Sequence, residues 1–121
     1  MNDSSPGSHY IDVENLDWQS TRFPGVDMKI LWSDPDGEAF TALFRTAPGT
    51  TLPKHQHRGI EQTFILEGSL VDEDGVCTAG NFVWRDVGSV HAAHTPEGSL
   101  AISIFQKTNH FFDEEPQSAD E

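Results

Sequence analysis

Between Met28 and Gln106 the chain alternates short apolar runs with clusters of turn-forming residues. The runs are Met28–Trp32, Ala39–Ala47, Ile60–Glu67, Ser69–Asp72, Asn81–Arg85 and Leu100–Gln106, rich in Phe, Ile, Val, Thr and Trp. None holds a 3.6-residue period for long, so each predicts a strand rather than a helix. Pro24-Gly25, Asp34-Pro35-Asp36-Gly37, Pro48-Gly49, Val87-Gly88 and Pro96-Glu97-Gly98 punctuate them. Asp74-Gly75 predicts a two-residue hairpin corner of the kind that needs positive φ. Many short strands with regular turns indicate an all-β sandwich or barrel.

Parity then assigns faces. Thr63 and Ile65 share the parity of Glu61 and are expected inside, whereas Phe64 and Leu66 point the other way. Those two are equally apolar, and a strand apolar on both faces needs cover on both. The N-terminal segment or a second copy of the chain must supply it, which makes a homodimer the expectation. Phe44, Phe64, Trp84 and Phe105 read as core.

At 121 residues the chain fits one domain. Residues 1–9 are polar and expected to be disordered, residues 10–112 form the folded domain, and residues 113–121 form an acidic tail. The net charge of −13 repels a phosphate backbone and argues against nucleic acid as a partner. No apolar run approaches a membrane span, and no basic-then-apolar leader opens the chain, so a cytoplasmic protein is expected. Cys77 is the only cysteine. It rules out an intrachain disulfide or a cysteine-based zinc cluster and reads as a partly buried strand residue.

The candidate chemistry sits mid-chain. In an extended segment, His55 and His57 are two residues apart and present their imidazoles to one face. Glu61, beyond the flexible Arg58-Gly59, can return to that face, and His91 can add a third nitrogen from a neighbouring strand. Two or three imidazoles and a carboxylate suit one divalent transition metal: Fe2+ or Zn2+ first, Ni2+ or Mn2+ also. His9, His94 and His110 lie outside this pattern and read as surface or loop residues. Arg85 and Gln62 are the polar candidates for contacts behind the ligands. No phosphate loop, dinucleotide fingerprint or serine-nucleophile elbow is present.

The spacing also carries a resemblance. Gly49, His55-Gln56-His57, Glu61 and Gly68 match the first cupin motif at every defined position. Gly80 and Gly88-Ser89-Val90-His91 resemble the second, with Asp86 in place of the usual proline and Thr95 in place of the usual closing asparagine. The resemblance implies a single-domain, six- to eight-stranded jelly-roll barrel, the double-stranded β-helix. It also implies His55, His57 and His91 as metal ligands, with Glu61 a fourth ligand or a catalytic group beside them. Phe40–Phe44, Pro48-Gly49-Thr50, Phe64–Gly75 and Thr95-Pro96-Glu97-Gly98 are similar to two cupin types. These are the cupin domain of zinc-binding anti-sigma factors and the acetylacetone and dihydroxyacetophenone dioxygenases. The first implication is an Fe(II) dioxygenase cleaving a C–C bond in a small diketone or hydroxyketone, favoured because the short polar N-terminus leaves no helical anti-sigma domain ahead of the cupin. The alternatives are a zinc-holding sensor or small-ligand module, and a metal-dependent isomerase.

Overall fold

The computed structural model describes residues 6–112. The expected disordered tail over residues 113–121, and most of the N-terminal one, lie outside that range. A single 3-10 turn, Val13–Asn15, precedes ten strands. They are β1 Gln19–Ser20, β2 Val26–Ser33, β3 Phe40–Thr46, β4 Thr50–Gln56, β5 Glu61–Asp72, β6 Gly75–Thr78, β7 Phe82–Arg85, β8 Val90–Thr95, β9 Ser99–Phe105 and β10 His110–Phe111. Two strands more than the expected maximum arise because β1 and β10 are two-residue edge pieces. No helix among the described residues is long and apolar enough to cross a membrane.

Every pairing is antiparallel, and the sheet curls because one strand serves both halves of the barrel. The first half of β5 lies between β9 and β7, with β3, β2 and β1 continuing beyond β9. Its second half lies between β6 and β8, with β4 and β10 beyond β8. The switch falls at a register shift between Ile65 and Glu67, followed by Gly68 at φ +77. The expected runs Ile60–Glu67 and Ser69–Asp72 are therefore one strand, bent rather than broken at the glycine. A bulge next to a positive-φ glycine bends a strand without ending its ladder.

Cross-strand register fixes what faces inward. Phe40, Phe105, Glu61 and Arg85 lie side by side on four neighbouring strands, with the Phe40 and Phe105 rings stacked at 4.6 Å. The next inward row sets Ala42, Ser103 and Thr63 in line, and the Thr63 and Ser103 hydroxyls meet at 2.8 Å. Thr63 and Ile65 are buried, as their parity requires.

The opposite face carries Trp32, Thr41, Ile104, Gln62 and Trp84 in one row and Lys29, Leu43, Ile102, Phe64 and Phe82 in the next. The N-terminal segment covers one end only. Lys29 Nζ donates to Val13 O at 2.8 Å, and Lys29 and Arg45 both sit over the Trp18 ring. At the other end Trp84, Phe82, Ile104 and Phe64 stay between 41% and 55% exposed. Phe44 and Phe105 line the interior as expected, but Trp84 and Phe64 are not core in this chain. Odd-even parity alone carries them outward.

The hairpin after β5 is also displaced. Asp72 pairs with Gly75, so Glu73-Asp74 form the corner, and Gly75 has no positive φ. Asp72 takes over the shaping role: its Oδ1 accepts from the backbone N–H groups of Asp74 and Gly75 at 2.8 and 3.0 Å.

A Cβ on Gly68 would stand 2.0 Å from Gly98 O, in a backbone conformation disfavoured for L residues. Gly68→Ala is expected to lose about 3 kcal/mol of stability. Gly75→Ala meets nothing within 4 Å and is expected to change stability by less than about 0.5 kcal/mol. Urea unfolding of the two variants checks the contrast.

Candidate metal centre

The two histidine segments are clamped together by backbone. In the β4–β8 ladder His55 lies directly opposite His91. Just past β4, the His57 N–H donates to Ser89 O at 2.9 Å, and the Gly88 N–H donates to His57 O at 2.7 Å. The turn before β8 forms with Asp86 in the proline position, because Asp86 O accepts from both the N–H and the hydroxyl of Ser89. Thr95, in the asparagine position, is buried and donates its hydroxyl to Ala47 O at 3.2 Å.

His55, His57 and Glu61 lie close together. The His55 and His57 rings are 5.0 Å apart, and those of His57 and His91 are 5.4 Å apart. Glu61 Oε1 approaches His57 Nδ1 to 3.1 Å, while its Oε2 accepts from the Thr63 hydroxyl at 2.9 Å. All three histidines are buried. His55 Nδ1 donates to Pro53 O at 2.9 Å, which fixes the tautomer and leaves Nε2 with a free lone pair. Both ring nitrogens of His91 are buried without a hydrogen-bond partner, and those of His57 are buried without a well-directed one, Nδ1 facing only Glu61 Oε1. Buried polar atoms are nearly always satisfied, and orphaned imidazole nitrogens gathered around a carboxylate are what a metal ion would satisfy. Neutral imidazoles and a carboxylate are by their chemistry a donor set for a divalent transition metal, while the group whose ligand atoms lie within 4.8 Å of one another is Asp72, Asp74 and His91.

Burial governs the protonation states. It pushes His57 down to about 3, with the nearby His55, Arg85 and His91 charges acting the same way. It also lowers His55, against the hydrogen bond to Pro53 that opposes the shift. Both rings are therefore neutral near pH 7, the form that ligates. Burial raises Glu61 above the usual carboxylate range, opposed by Thr63, Arg85 and Asn109.

His55 and Glu61 open into a cavity of about 460 Å3 inside the barrel. Its walls are largely apolar, with Phe40, Phe44, Phe105 and Phe111 among them. Phe111 packs against both His55 and Phe23, and Arg22 lies over the two phenylalanine rings. Asn109 acts on both His57 and Glu61. The sequence reading passed over Asn109 and Phe111 because β10 reaches the site only by pairing with β4, some 55 residues earlier in the chain. Of the two polar candidates, Arg85 is buried and faces inward, while Gln62 lies on the outer face between Ile104 and Trp84. His94 is exposed, and His110 is half-buried in β10. Cys77 is half-buried in β6, and burial raises its thiol above the ordinary range.

His91 also faces a second neighbourhood. It lines a separate cavity of about 410 Å3 together with Asp72, Asp74 and Arg85. Ligand atoms of Asp72, Asp74 and His91 all lie within 4.8 Å of one another.

A curled antiparallel barrel with these motif histidines on its wall is a cupin. A crystal structure from Methylibium petroleiphilum PM1 shares this fold at TM-score 0.82 and 22% identity, over 97% of this chain and 90% of that one. An acetylacetone dioxygenase from Acinetobacter johnsonii does so at TM-score 0.79 and 21% identity, over 94% and 84% of the two chains. Within the cupins, the profile of the ChrR cupin-like domain matches residues 6–111, and the chain belongs to that family. The anti-sigma-E factor ChrR of Cereibacter sphaeroides is 33% identical over 84 residues, which is 69% of this chain and 37% of that protein. The chain thus spans little more than a third of the length of this relative. The structure of Rhodobacter sphaeroides SigE in complex with the anti-sigma ChrR matches at TM-score 0.67 and 27% identity, over 78% of this chain and 51% of that one.

The buried groups give the metal-free protein a defined response to acid. His55 and His57, lowered in the fold, bind fewer protons than they do unfolded, so their contribution is lost as pH falls below about 6.5. Glu61 is raised, so its contribution is present below its ordinary value of 4.5 and lost as pH rises through its folded value. His55 and His57 are expected to lower the melting temperature of the metal-free protein at pH 5 relative to pH 7, with Glu61 acting against them. Glu61→Gln removes the opposing group and should steepen that loss, as thermal melts at the two pH values would show.

Proposed function

We propose that the protein is a small metal-dependent oxygenase acting in the cytoplasm on a compact enolisable ketone. Its ligands are His55, His57 and His91, with Glu61 beside them. The observation that carries this reading is the apolar 460 Å3 cavity into which His55 and Glu61 open, next to buried imidazole nitrogens that have no other partner. A structural metal site is ordinarily closed on all sides, whereas a reactive one keeps an open position facing a pocket.

What Fe2+ would supply there is a redox-active Lewis acid able to gather a chelating enolate and O2. The chain's own residues do the rest. The neutral histidines offer lone pairs without having to lose a proton first. Glu61, raised by burial, is the better base at neutral pH and takes the proton from the carbon between two carbonyls. Asn109 and the Thr63 hydroxyl keep the carboxylate aimed. Phe40, Phe44, Phe105 and Phe111 exclude water and favour a small, uncharged, planar guest.

A second reading, a zinc-holding module that docks on protein, draws on the identity to ChrR and on the exposed apolar outer face. That face also supports a homodimer, since Trp32, Phe64, Phe82, Trp84 and Ile104 form one patch of the kind monomers rarely leave open.

Metal analysis of anaerobically purified protein is expected to give metal in the wild type and a loss of at least tenfold in metal affinity for His57→Ala. Iron-loaded wild type should consume O2 with a β-diketone. Glu61→Gln should keep its metal and lose about 10–100-fold in turnover if the carboxylate is a base, or lose metal if it is a ligand. No O2 uptake across diketones and hydroxyketones would leave the zinc-holding module as the better reading. On the outer face, Phe64→Asp is expected to convert a dimer of roughly 1,600 Å2 buried interface into monomer. Light scattering that finds wild type already monomeric at micromolar concentration would remove the dimer.

A further inference from the structure

The hairpin joining β5 and β6 brings Asp72, Glu73 and Asp74 up beside His91 on β8. His91 Nδ1 lies 3.8 Å from Asp72 Oδ2, 3.8 Å from Asp74 Oδ2 and 4.0 Å from Glu73 Oε1. None of these is a hydrogen bond, for which the separation would be about 2.7–3.2 Å. The His91 side chain is only 7% exposed, and its Nδ1 has no other partner. A buried nitrogen thus points at carboxylates held just too far away to satisfy it. The spacing is close to that of ligands sharing an ion. A tetrahedral set with bonds of about 2.0–2.2 Å holds its donor atoms roughly 3.3–3.6 Å apart; the two His91–aspartate separations of 3.8 Å approach that, and the whole set lies within 4.8 Å.

Two further features favour a cation. Asp72 is immobilised: Arg85 pairs with its Oδ2, and two backbone N–H groups occupy its Oδ1. The three carboxylates near His91 Nδ1 outnumber the one guanidinium, which pairs with Asp72, and leave a net negative site. The 410 Å3 cavity adjoining Asp72, Asp74, Ser89 and His91 has room for the water molecules that would complete the coordination.

We propose that Asp72, Asp74 and His91 Nδ1 form a second divalent-cation site, of the zinc or manganese type, beside the β5–β6 hairpin. His91 Nε2, equally buried and without a partner, stays available to the histidine centre. The sharing of one ring, though not the hairpin site itself, rests on the proposed role of that centre. A shared imidazole must give up both its protons, so the second equivalent binds more weakly than the first.

Zinc alone is the probe, followed by calorimetric titration of the metal-stripped 121-residue chain and by elemental analysis after dialysis. Wild type is expected to take up two equivalents. Asp74→Asn, at an exposed hairpin corner where folding is not at stake, should weaken one equivalent at least tenfold and spare the other. His57→Ala should do the converse. Glu97→Gln removes an exposed acid elsewhere and should change neither. If wild type binds one zinc that His57→Ala loses and Asp74→Asn keeps, the hairpin site is overturned and the histidine centre stands. If Asp74→Asn alone loses the single zinc, the hairpin site stands and the histidine centre falls. If the weaker equivalent falls equally with Glu97→Gln, it reflects diffuse acidic charge and the hairpin site is overturned.

Discussion

Strand β5 belongs to both sheets, and most of the molecule follows from that. Its first half supplies Glu61, Thr63 and Ile65 to the interior, and its second half ends at Asp72 beside the turn that supports His91. The bend between them requires a glycine, since Gly68 has positive φ and sits against the Gly98 carbonyl. Were β5 straight, its two ends could not both lie near the histidines. The Asp72–Arg85 ion pair then ties the far end of the strand back to β7, directly across from Glu61. Such a buried pair is poor evidence of stability, because desolvation offsets much of its attraction. Its value here is positional: it holds a carboxylate and a guanidinium in fixed places behind three imidazoles.

Much of this was readable in the chain. Fixed offsets among His55, His57 and Glu61 are local, and period-two alternation converts them directly into a shared face. His91 was legible because the turn at Gly88 recurs next to a short strand. Fold class followed from turn spacing. What escaped notice depends on long-range pairing. Asn109 and Phe111 reach the site only through the β10–β4 ladder, and nothing in Asn-His-Phe-Phe announces it. Asp72 read as an ordinary strand end, because the register sets Arg85 opposite Glu61 and only the curl of β5 brings Asp72 to the same guanidinium. Trp84 and Phe64 show the opposite failure. Hydrophobicity marked them as interior, although parity already turned Phe64 outward; in a curved sheet a large apolar residue can as easily serve the convex side.

That convex side lies one strand's thickness from the cavity. Along β5, Glu61, Thr63 and Ile65 line the inside, while Gln62, Phe64 and Leu66 alternate with them on the outside. A body seated on the outer residues and a guest among the inner ones therefore press on the same backbone, which resists independent adjustment of its two faces. Were both sides occupied and energetically coupled, thermodynamic reciprocity would make each alter the affinity of the other by the same factor. A wall this thin leaves the cavity and the outer face a single backbone apart.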